Sequence, residues 1–254
     1  MVEARVAIVT GGTHGIGRAI TATLAARGYA VVAVGNDAAQ AEGTQELLRE
    51  RGLQADTREA DVALSADVEG VVRFTLAKYG RVDALCNNAG IYTRGTVLTL
   101  TEDAWDRTMA VNLKGMFLFV KAVIPHMIAA GGGAIVNTAS VSSYGNRNLV
   151  AYCAAKAGVL GLTRALAMDH VQDHIRVNAL VPGFILSGMT ADSPPERLAV
   201  MAEGNVAGRV GQPQDVANLV AFLVSDEAAT ISGAFYEVST APYRGPSPPG
   251  PGRC

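Results

Sequence analysis

The sequence has no excess of charge of either sign. Its 254 residues include 21 lysines and arginines against 23 aspartates and glutamates, with a formal net charge of -2 and a pI near 6.1. Nucleic acids and anionic membranes attract strongly basic surfaces, so we expect neither as a partner. No run approaches the ~20 consecutive apolar residues of a transmembrane helix. The first residues, MVEARVAIVTGG, do not have the layout of a signal peptide.

Cysteine is scarce, and half of the proline is confined to one segment. Cys86, Cys153 and Cys254 are isolated and have neither CxxC spacing nor a histidine partner, which predicts a reducing, cytoplasmic environment and no metal site. Five of the ten prolines lie in residues 241–254 with three glycines, so we expect an irregular tail there. Residues 1–240, without repeats or linkers, are predicted to form a single domain.

Short apolar runs alternate with helical patterns along the chain. Strands are predicted at residues 5–10, 29–34, 54–59, 82–86, 134–138, 175–180 and 234–238. Helices are predicted at 15–27 and 40–51, from a cap at Ser65 with Asp67 in its first turn, from TEDAWDR at 101–107, around residues 151–156, and at 213–225. Apolar strands alternating with helices predict an α/β fold with a mostly parallel sheet covered on both faces.

A glycine-rich turn, Thr10–Gly17, joins the first predicted strand to the first helix. Glycines let the backbone approach a ligand closely, and a new helix offers free N–H groups to a pyrophosphate. Because a strand precedes the motif and a helix follows it, we predict a dinucleotide site rather than a simple tight turn. The candidate binding residues are Gly11, Thr13, His14, Gly15, Ile16 and Gly17, although His14 can also be explained as a solvent-facing loop residue.

A second motif, AYCAAK, places Tyr152 and Lys156 four residues apart, on one face of a helix. Taken alone, the pair is explained as well by a solvated helix face as by catalysis. Its meaning therefore depends on the other motifs of the chain.

The form TGxxxGIG resembles the classical short-chain dehydrogenase/reductase family, and the resemblance extends to about residue 238. It includes Asp61-Val62, the NNAG motif at 87–90, Asn112 in VNLKG, Ser140 after IVNTA, YxxxK, and Pro182-Gly183. It implies a Rossmann-like, doubly wound sheet of seven strands, an NAD or NADP cofactor, and a homo-oligomer, either a tetramer or a dimer. The implied catalytic residues are Asn112, Ser140, Tyr152 and Lys156. Tyr152 and Lys156 would also touch the cofactor, with Asp61, Val62, Asn88, Ala89, Gly90, Pro182, Gly183, Ile185 and Ser187.

The resemblance gives each catalytic residue a role. Tyr152 would be the general acid/base, since a neighbouring ammonium and the positive nicotinamide ring lower a phenol pKa from ~10. Lys156 would also hold the nicotinamide ribose, Ser140 would bind the substrate oxygen, and Asn112 would position a water. Each has a structural alternative: Asn112 bonding backbone groups, Ser140 capping a strand end, Tyr152 a core tyrosine.

The chain departs from the family pattern at two places. Twelve residues separate Ser140 from Tyr152, one fewer than is usual, so Ser142 and Ser143 are kept as alternative serines. After Val238 the chain continues as Ser-Thr-Ala-Pro instead of a VDGG-like turn, which leaves the assembly and the floor of the substrate pocket open.

The end of the second strand favours NAD over NADP. The family's discriminating position is Gly35, followed by Asn36 and Asp37. We expect Asn36 and Asp37 to contact the adenosine, with the carboxylate of Asp37 opposing a 2′-phosphate.

Substrate specificity is expected from residues 184–206, where paired prolines and a short helical run predict a lid. Its apolar residues Phe184, Ile185, Leu186 and Met189 favour a mainly uncharged substrate, and Tyr92, Tyr144 and Asn146 are candidates for the opposite wall. The resemblance implies reversible hydride transfer between nicotinamide and a ketone or secondary alcohol. The alternatives are a 3-oxoacyl carrier-protein ketoreductase and a non-catalytic dinucleotide-binding sensor or scaffold.

Overall fold

Seven parallel strands form one sheet in the computed structural model, which describes residues 4–188, 190 and 192–238. In chain order they are β1 (Val6–Thr10), β2 (Ala30–Gly35), β3 (Ala55–Glu59), β4 (Ala84–Asn87), β5 (Gly133–Thr138), β6 (Ile175–Pro182) and β7 (Phe235–Val238). The order across the sheet is β3-β2-β1-β4-β5-β6-β7, and every neighbouring pair is parallel. The predicted doubly wound α/β fold is confirmed.

Helices cover both faces of this sheet. They are α1 (Gly15–Ala26), α2 (Ala38–Glu50), α3 (Ser65–Tyr79), α4 (Glu102–Met109), α5 (Gly115–Ala129), α6 (Val150–Asp169), α7 (Pro195–Glu203) and α8 (Pro213–Leu223). Successive side chains of a strand point to opposite faces. In β1, Ala7 and Val9 therefore join the core under α1 and α8, while Ile8 joins the core under α3 and α5. All five residues of β1 are buried, which explains its continuous apolar run.

The start of α3 differs from the prediction. Ser65 is the first helical residue and does not cap the helix; Leu64 occupies the capping position without a side-chain hydrogen bond. The carboxylate of Asp67 accepts the backbone N–H of Asp61 at 2.8 Å. This bond holds the loop that follows β3. At α4 the side chain of Thr101 accepts the N–H of Ala104, as a capping threonine does.

Two helical segments, Glu102–Ala129 and Val150–Asp169, are long and apolar enough to cross a membrane by length and composition alone. Half of the apolar window of the first segment and a third of the second are buried inside the fold. Phe119, Val123 and Val159 are completely buried in the core. Packing against the sheet accounts for much of this apolar character, so the two segments are weak evidence for membrane spans.

Several expectations fall on residues outside the described part of the chain. These are the irregular tail at 241–254 with Cys254, the departure after Val238, and the lid residue Met189. Cys86 and Cys153 are described, and both are free thiols.

Candidate active site

The glycine turn between β1 and α1 has a backbone that larger residues rarely adopt. Gly11 and Gly15 have φ of +62° and +51°, in the left-handed region that favours glycine. A Cβ on Gly17 would lie 1.9 Å from the carbonyl oxygen of Gly11, so the helix approaches the turn too closely for any side chain. His14 precedes α1 without a side-chain cap. The first N–H groups of α1 therefore remain available to an anionic ligand.

A cavity of about 510 Å³ opens beside this turn, at the carboxyl ends of the strands. Ligands of doubly wound sheets bind at this edge. The cavity brings together most of the residues expected to hold a cofactor: Gly11, Thr13, His14, Gly15, Ile16, Asn36, Asp61, Val62, Asn88, Ala89, Gly90, Tyr152, Lys156, Pro182, Gly183, Ile185 and Ser187. The glycine turn has no room for a Cβ at Gly17, and the cavity opens directly beside it. This arrangement fits a dinucleotide.

Two of the expected cofactor residues do not line the cavity. Gly17 lies behind the turn and acts through close packing. Asp37 caps α2, where its carboxylate accepts the N–H of Gln40 at 3.0 Å. The start of α2 thus engages the carboxylate of Asp37, and its expected contact with the adenosine stays a prediction. Gln40 lines the cavity instead.

Asp61 lies at the adenosine end of the cavity, opposite Arg107. Burial works against ionisation of this carboxylate. The N–H of Ala63 and the guanidinium of Arg107, 2.8 Å away, outweigh burial and hold the pKa of Asp61 below its usual value. Each of these two charges is therefore neutralised by the other. No local pattern points to Arg107 as the partner of Asp61, since α4 is distant from Asp61 along the chain.

Thr10 joins the NNAG turn to the glycine turn. Its hydroxyl oxygen accepts the backbone N–H groups of Asn88 and Ala89 at 3.0 and 3.1 Å. Behind the turn, the Asn87 amide donates to Asn137 at 2.9 Å, which connects β4 to β5. These bonds fix two cavity walls relative to each other.

Ser140, Tyr152 and Lys156 meet at the centre of the cavity. Tyr152 is 9% exposed and Lys156 is 3% exposed. The Lys156 ammonium donates a 2.7 Å hydrogen bond to the carbonyl of Thr138 and lies 5.7 Å from the centroid of the Tyr152 ring. The Ser140 hydroxyl lies close enough to the phenol of Tyr152 to act on its pKa.

Burial dominates the electrostatics of this pair. It raises the pKa of Tyr152 to about 12, against the opposing effect of the Ser140 hydrogen bond. It lowers the pKa of Lys156 to about 8. The expected lowering of the Tyr152 pKa is thus not found in the chain alone, because Lys156 is itself desolvated and its ammonium is directed at Thr138. The nicotinamide charge, on which that expectation also depended, is not part of the chain.

Asn112 lies in a π-helical turn, Ala110–Lys114, between α4 and α5. Such turns often mark functional sites. Its amide donates to the carbonyls of Ile91 and Thr108, both at 3.0 Å. Its Oδ1 is buried and has no hydrogen-bond partner among the described residues. A Cβ on Gly90 would lie 2.7 Å from this oxygen and 3.5 Å from the Lys156 ammonium, so the two groups are close to each other. Asn112 itself does not line the cavity.

The short interval before Tyr152 does not remove Ser140 from the site. A 3-10 turn, Val141–Tyr144, follows Ser140, and Gly145 and Asn148 adopt positive φ to complete the loop. Of the alternative serines, Ser142 lines the cavity but its hydroxyl lies near the Asn146 amide, and Ser143 does not line it. Of the three serines, Ser140 is the one that acts on the pKa of Tyr152.

The substrate walls follow the expectations in part. Phe184, Ile185, Tyr92 and Asn146 line the cavity, whereas Leu186 and Tyr144 do not. Tyr144 is mostly exposed. Partial desolvation of its phenol and a hydrogen bond to Glu237 raise the pKa of Tyr144. The residues that line the cavity but were not named from the sequence include, besides Gln40 and Arg107, Arg94, Thr138, Arg197 and Met201.

Comparison with known proteins agrees with the family resemblance found in the sequence. Residues 5–198 match the family model described as short chain dehydrogenase. The chain is 38% identical over 239 residues to a 3-oxoacyl acyl-carrier-protein reductase of Staphylococcus epidermidis, covering 93% of this chain and 98% of the relative. It is 37% identical over 232 residues to the hydroxy(phenyl)methylsuccinyl-CoA dehydrogenase subunit of Thauera aromatica, covering 91% and 94%.

Solved structures are similar over almost the whole chain. A variant of the actinorhodin polyketide ketoreductase with NADPH has a TM-score of 0.88 at 33% identity, covering 92% of this chain and 95% of that chain. Levodione reductase has a TM-score of 0.86 at 33% identity with the same coverage. The chain belongs to the short-chain dehydrogenase/reductase family and is an NAD(P)-dependent oxidoreductase.

Proposed function

We propose that this enzyme interconverts a ketone and a secondary alcohol, with Tyr152 as the general acid/base. The observation that carries the proposal is the buried contact of Ser140 with Tyr152, beside Lys156, in the cavity that the glycine turn also lines. When bound, NAD(P) supplies or accepts the hydride. The side chains then have only to orient the carbonyl and to move one proton.

Each of the four residues has a distinct task. In the reducing direction the Tyr152 hydroxyl donates its proton to the carbonyl oxygen, and the Ser140 hydroxyl stabilises the charge that develops there. Lys156 is placed to hold ribose hydroxyls and to pass a proton to Tyr152. The unpartnered Asn112 Oδ1 is placed to hold a water beside Lys156.

Reduction is the direction that the protonation states favour. With its pKa raised to about 12, Tyr152 holds its proton throughout the neutral range and serves as an acid. Oxidation requires the phenolate, so we expect it to need higher pH than reduction does.

Discrimination between the two nicotinamide cofactors is proposed to be small. The adenosine end has the neutral Asn36 and Gln40, and its acidic and basic residues, Asp61 and Arg107, neutralise each other. Among the described residues, no unpaired carboxylate at that end of the cavity repels a 2′-phosphate, and no unpaired cation attracts one. We therefore expect kcat/KM values for NADH and NADPH within about tenfold of each other. A charged side chain that contacted only one of the two cofactors would by itself change this ratio by about tenfold.

A second candidate substrate class is a 3-oxoacyl thioester. The relatives named above support it, one acting on a carrier-protein thioester and the other named for a CoA thioester. A thioester ketone would be reduced by the same four residues. A panel that contains both simple ketones and acetoacetyl-CoA separates the two substrate classes.

A homo-oligomer in the cytoplasm is part of the proposal. Large apolar side chains are exposed on the helices that precede and follow β5, among them Trp105, Phe117, Ile128 and Met168. Such residues are typical of a covered interface. Sedimentation velocity measures the assembly, and a monomer would contradict this part of the proposal.

The catalytic proposal is tested by loss of absorbance at 340 nm with NADH or NADPH and a panel of ketones. We expect Tyr152→Phe to lower kcat at least ~100-fold, the usual contribution of a positioned acid/base. NAD(P)H binding, followed by fluorescence, should be retained. Tyr144→Phe, a phenol in the adjacent loop that does not line the cavity, serves as the matched control and should keep its rate within about twofold. Wild-type turnover by Tyr152→Phe would refute the assignment.

A further inference from the structure

We propose that the substrate carries a negatively charged group and that Arg94 and Arg197 bind it. This inference rests on the proposed ketone reduction and names the class of ketone: one with a carboxylate or phosphate some distance from the carbonyl. It replaces the expectation of a mainly uncharged substrate, which considered only the apolar residues of the segment after β6.

Arg94 lies at the substrate end of the cavity. Its guanidinium carbon is 5.3 Å from the centroid of the Tyr92 ring. The Tyr92 ring meets the Tyr152 ring edge to face, with centroids 5.2 Å apart. One aromatic ring therefore separates this cation from the proposed proton donor, and all three residues line the same cavity.

Arg197 lines the same cavity from a different segment. It lies in the first turn of α7, and its guanidinium carbon is 5.3 Å from the centroid of the Phe184 ring. Phe184 directly follows Gly183, and both line the cavity, as does Arg197. Stacking on a ring fixes the guanidinium plane and leaves its N–H edge free for a bidentate anion.

These two positive charges are not compensated by the protein. Asp61 is the one acidic residue among the described residues of the cavity lining, and it pairs with Arg107 at the adenosine end. Within the described chain neither the Arg94 side chain nor the Arg197 side chain has an ion pair or a hydrogen bond. Asp192 and Glu196, the acids nearest to Arg197 in sequence, do not line the cavity.

The cofactor does not account for these cations. Its diphosphate belongs at the glycine turn, and any 2′-phosphate belongs near Asn36 and Gln40. Tyr92 places Arg94 beside Tyr152, whereas Arg197 stacks on Phe184, the residue that follows Gly183. In a chain with a net charge of -2, two arginines without acidic partners in one cavity lining favour an anionic ligand.

Matched substrates test the proposal. Levulinate is a ketone with a carboxylate, methyl levulinate is the same ketone without the charge, and acetoacetyl-CoA carries its anionic groups on the carrier. Each is assayed with NADPH and NADH for the wild type, Arg94→Gln, Arg197→Gln and Arg58→Gln. Arg58 is the matched control because it lies 4.4 Å over the ring of Phe74 and outside this cavity.

We expect the wild type to prefer levulinate to its methyl ester by about tenfold or more in kcat/KM. Each cavity variant should lower kcat/KM for levulinate about tenfold, mainly through KM, because a charge-assisted contact is lost in both the ground and transition states. The loss for methyl levulinate should be at least fivefold smaller. Raising the salt concentration should narrow the preference for levulinate. Arg58→Gln should behave as the wild type does.

The outcomes separate the two proposals. If acetoacetyl-CoA is the better substrate and loses most in the cavity variants, the inference holds with a phosphate of the carrier as the anion. If ester and acid are reduced equally well, or if both lose equally in the variants, the inference is overturned while the ketone reductase stands. If neither cofactor is oxidised by any ketone of the panel although both bind, the proposed function and this inference fall together.

Discussion

Replacing Lys156 by methionine should make the protein more stable at neutral pH while removing its activity. Lys156 is 3% exposed, and burial lowers its pKa from 10.5 to about 8. At pH 7 a charged ammonium in this place costs about 3 kcal/mol of folding free energy, at about 1.4 kcal/mol for each unit of pKa. Methionine retains the apolar volume but leaves the Thr138 carbonyl without its donor, which costs about 1 kcal/mol. The expected net gain is about 2 kcal/mol.

The sign of the pH dependence follows from proton binding. The folded pKa is lower than the unfolded one, so between pH 8 and pH 10.5 the unfolded wild type binds more protons and wild-type stability rises with pH. The advantage of Lys156→Met should therefore shrink to about zero near pH 9.5. Other titrating groups are common to both proteins and cancel in the difference.

Urea unfolding of both proteins at pH 7 and pH 9.5 measures this, without cofactor and at one protein concentration so that oligomerisation does not differ. Lys121→Met, at an exposed position on α5, is the control and should change stability by less than about 0.5 kcal/mol. A Lys156→Met protein less stable than the wild type at pH 7 would refute the reasoning, as would an advantage independent of pH. A stabilised, inactive variant would show that the site keeps a buried charge at the expense of stability.

Two further substitutions test the cofactor site. Gly17→Ala places a Cβ 1.9 Å from the Gly11 carbonyl oxygen and should abolish binding of both NADH and NADPH in fluorescence titrations. Gly43→Ala, at an exposed position in α2 with open space around it, is the control. It should bind both cofactors normally and gain about 0.5–1 kcal/mol of stability in urea unfolding. Asp37→Ala removes a helix cap and should cost about 1 kcal/mol of stability. The ratio of kcat/KM for NADH to that for NADPH should change by less than about twofold. A larger change in this ratio would mean that the Asp37 carboxylate faces the cofactor.

The fold was predictable because its signals are local. Completely buried parallel strands such as β1 are apolar throughout, and a glycine turn followed by α1 is visible in ten consecutive letters. The ends of elements were less predictable. Ser65 matched the pattern of a helix cap, but the bond from Asp67 to the N–H of Asp61 depends on the path of the loop after β3, which no short window of sequence contains.

The candidate site was predictable where a motif contains its own spacing. Tyr152 and Lys156 lie one helical turn apart, and Asn88 and Ala89 follow a strand whose position the pattern gives. The expected consequence of that spacing, a lowered tyrosine pKa, was not found in the chain alone, because desolvation is produced by everything packed around the pair. Asp37 likewise had the right position in sequence but directs its carboxylate at its own helix.

The sequence by itself determined the α/β class, the dinucleotide turn and the four candidate catalytic residues, since their signals lie in short stretches of the chain. Only the tertiary structure decided the charge of the cavity. It neutralises Asp61 with Arg107 from α4, and it brings Arg94 and Arg197 from separate segments into the lining of one cavity. Electrostatic interactions depend on distance through space and on burial, and neither is recorded in the order of residues along the chain.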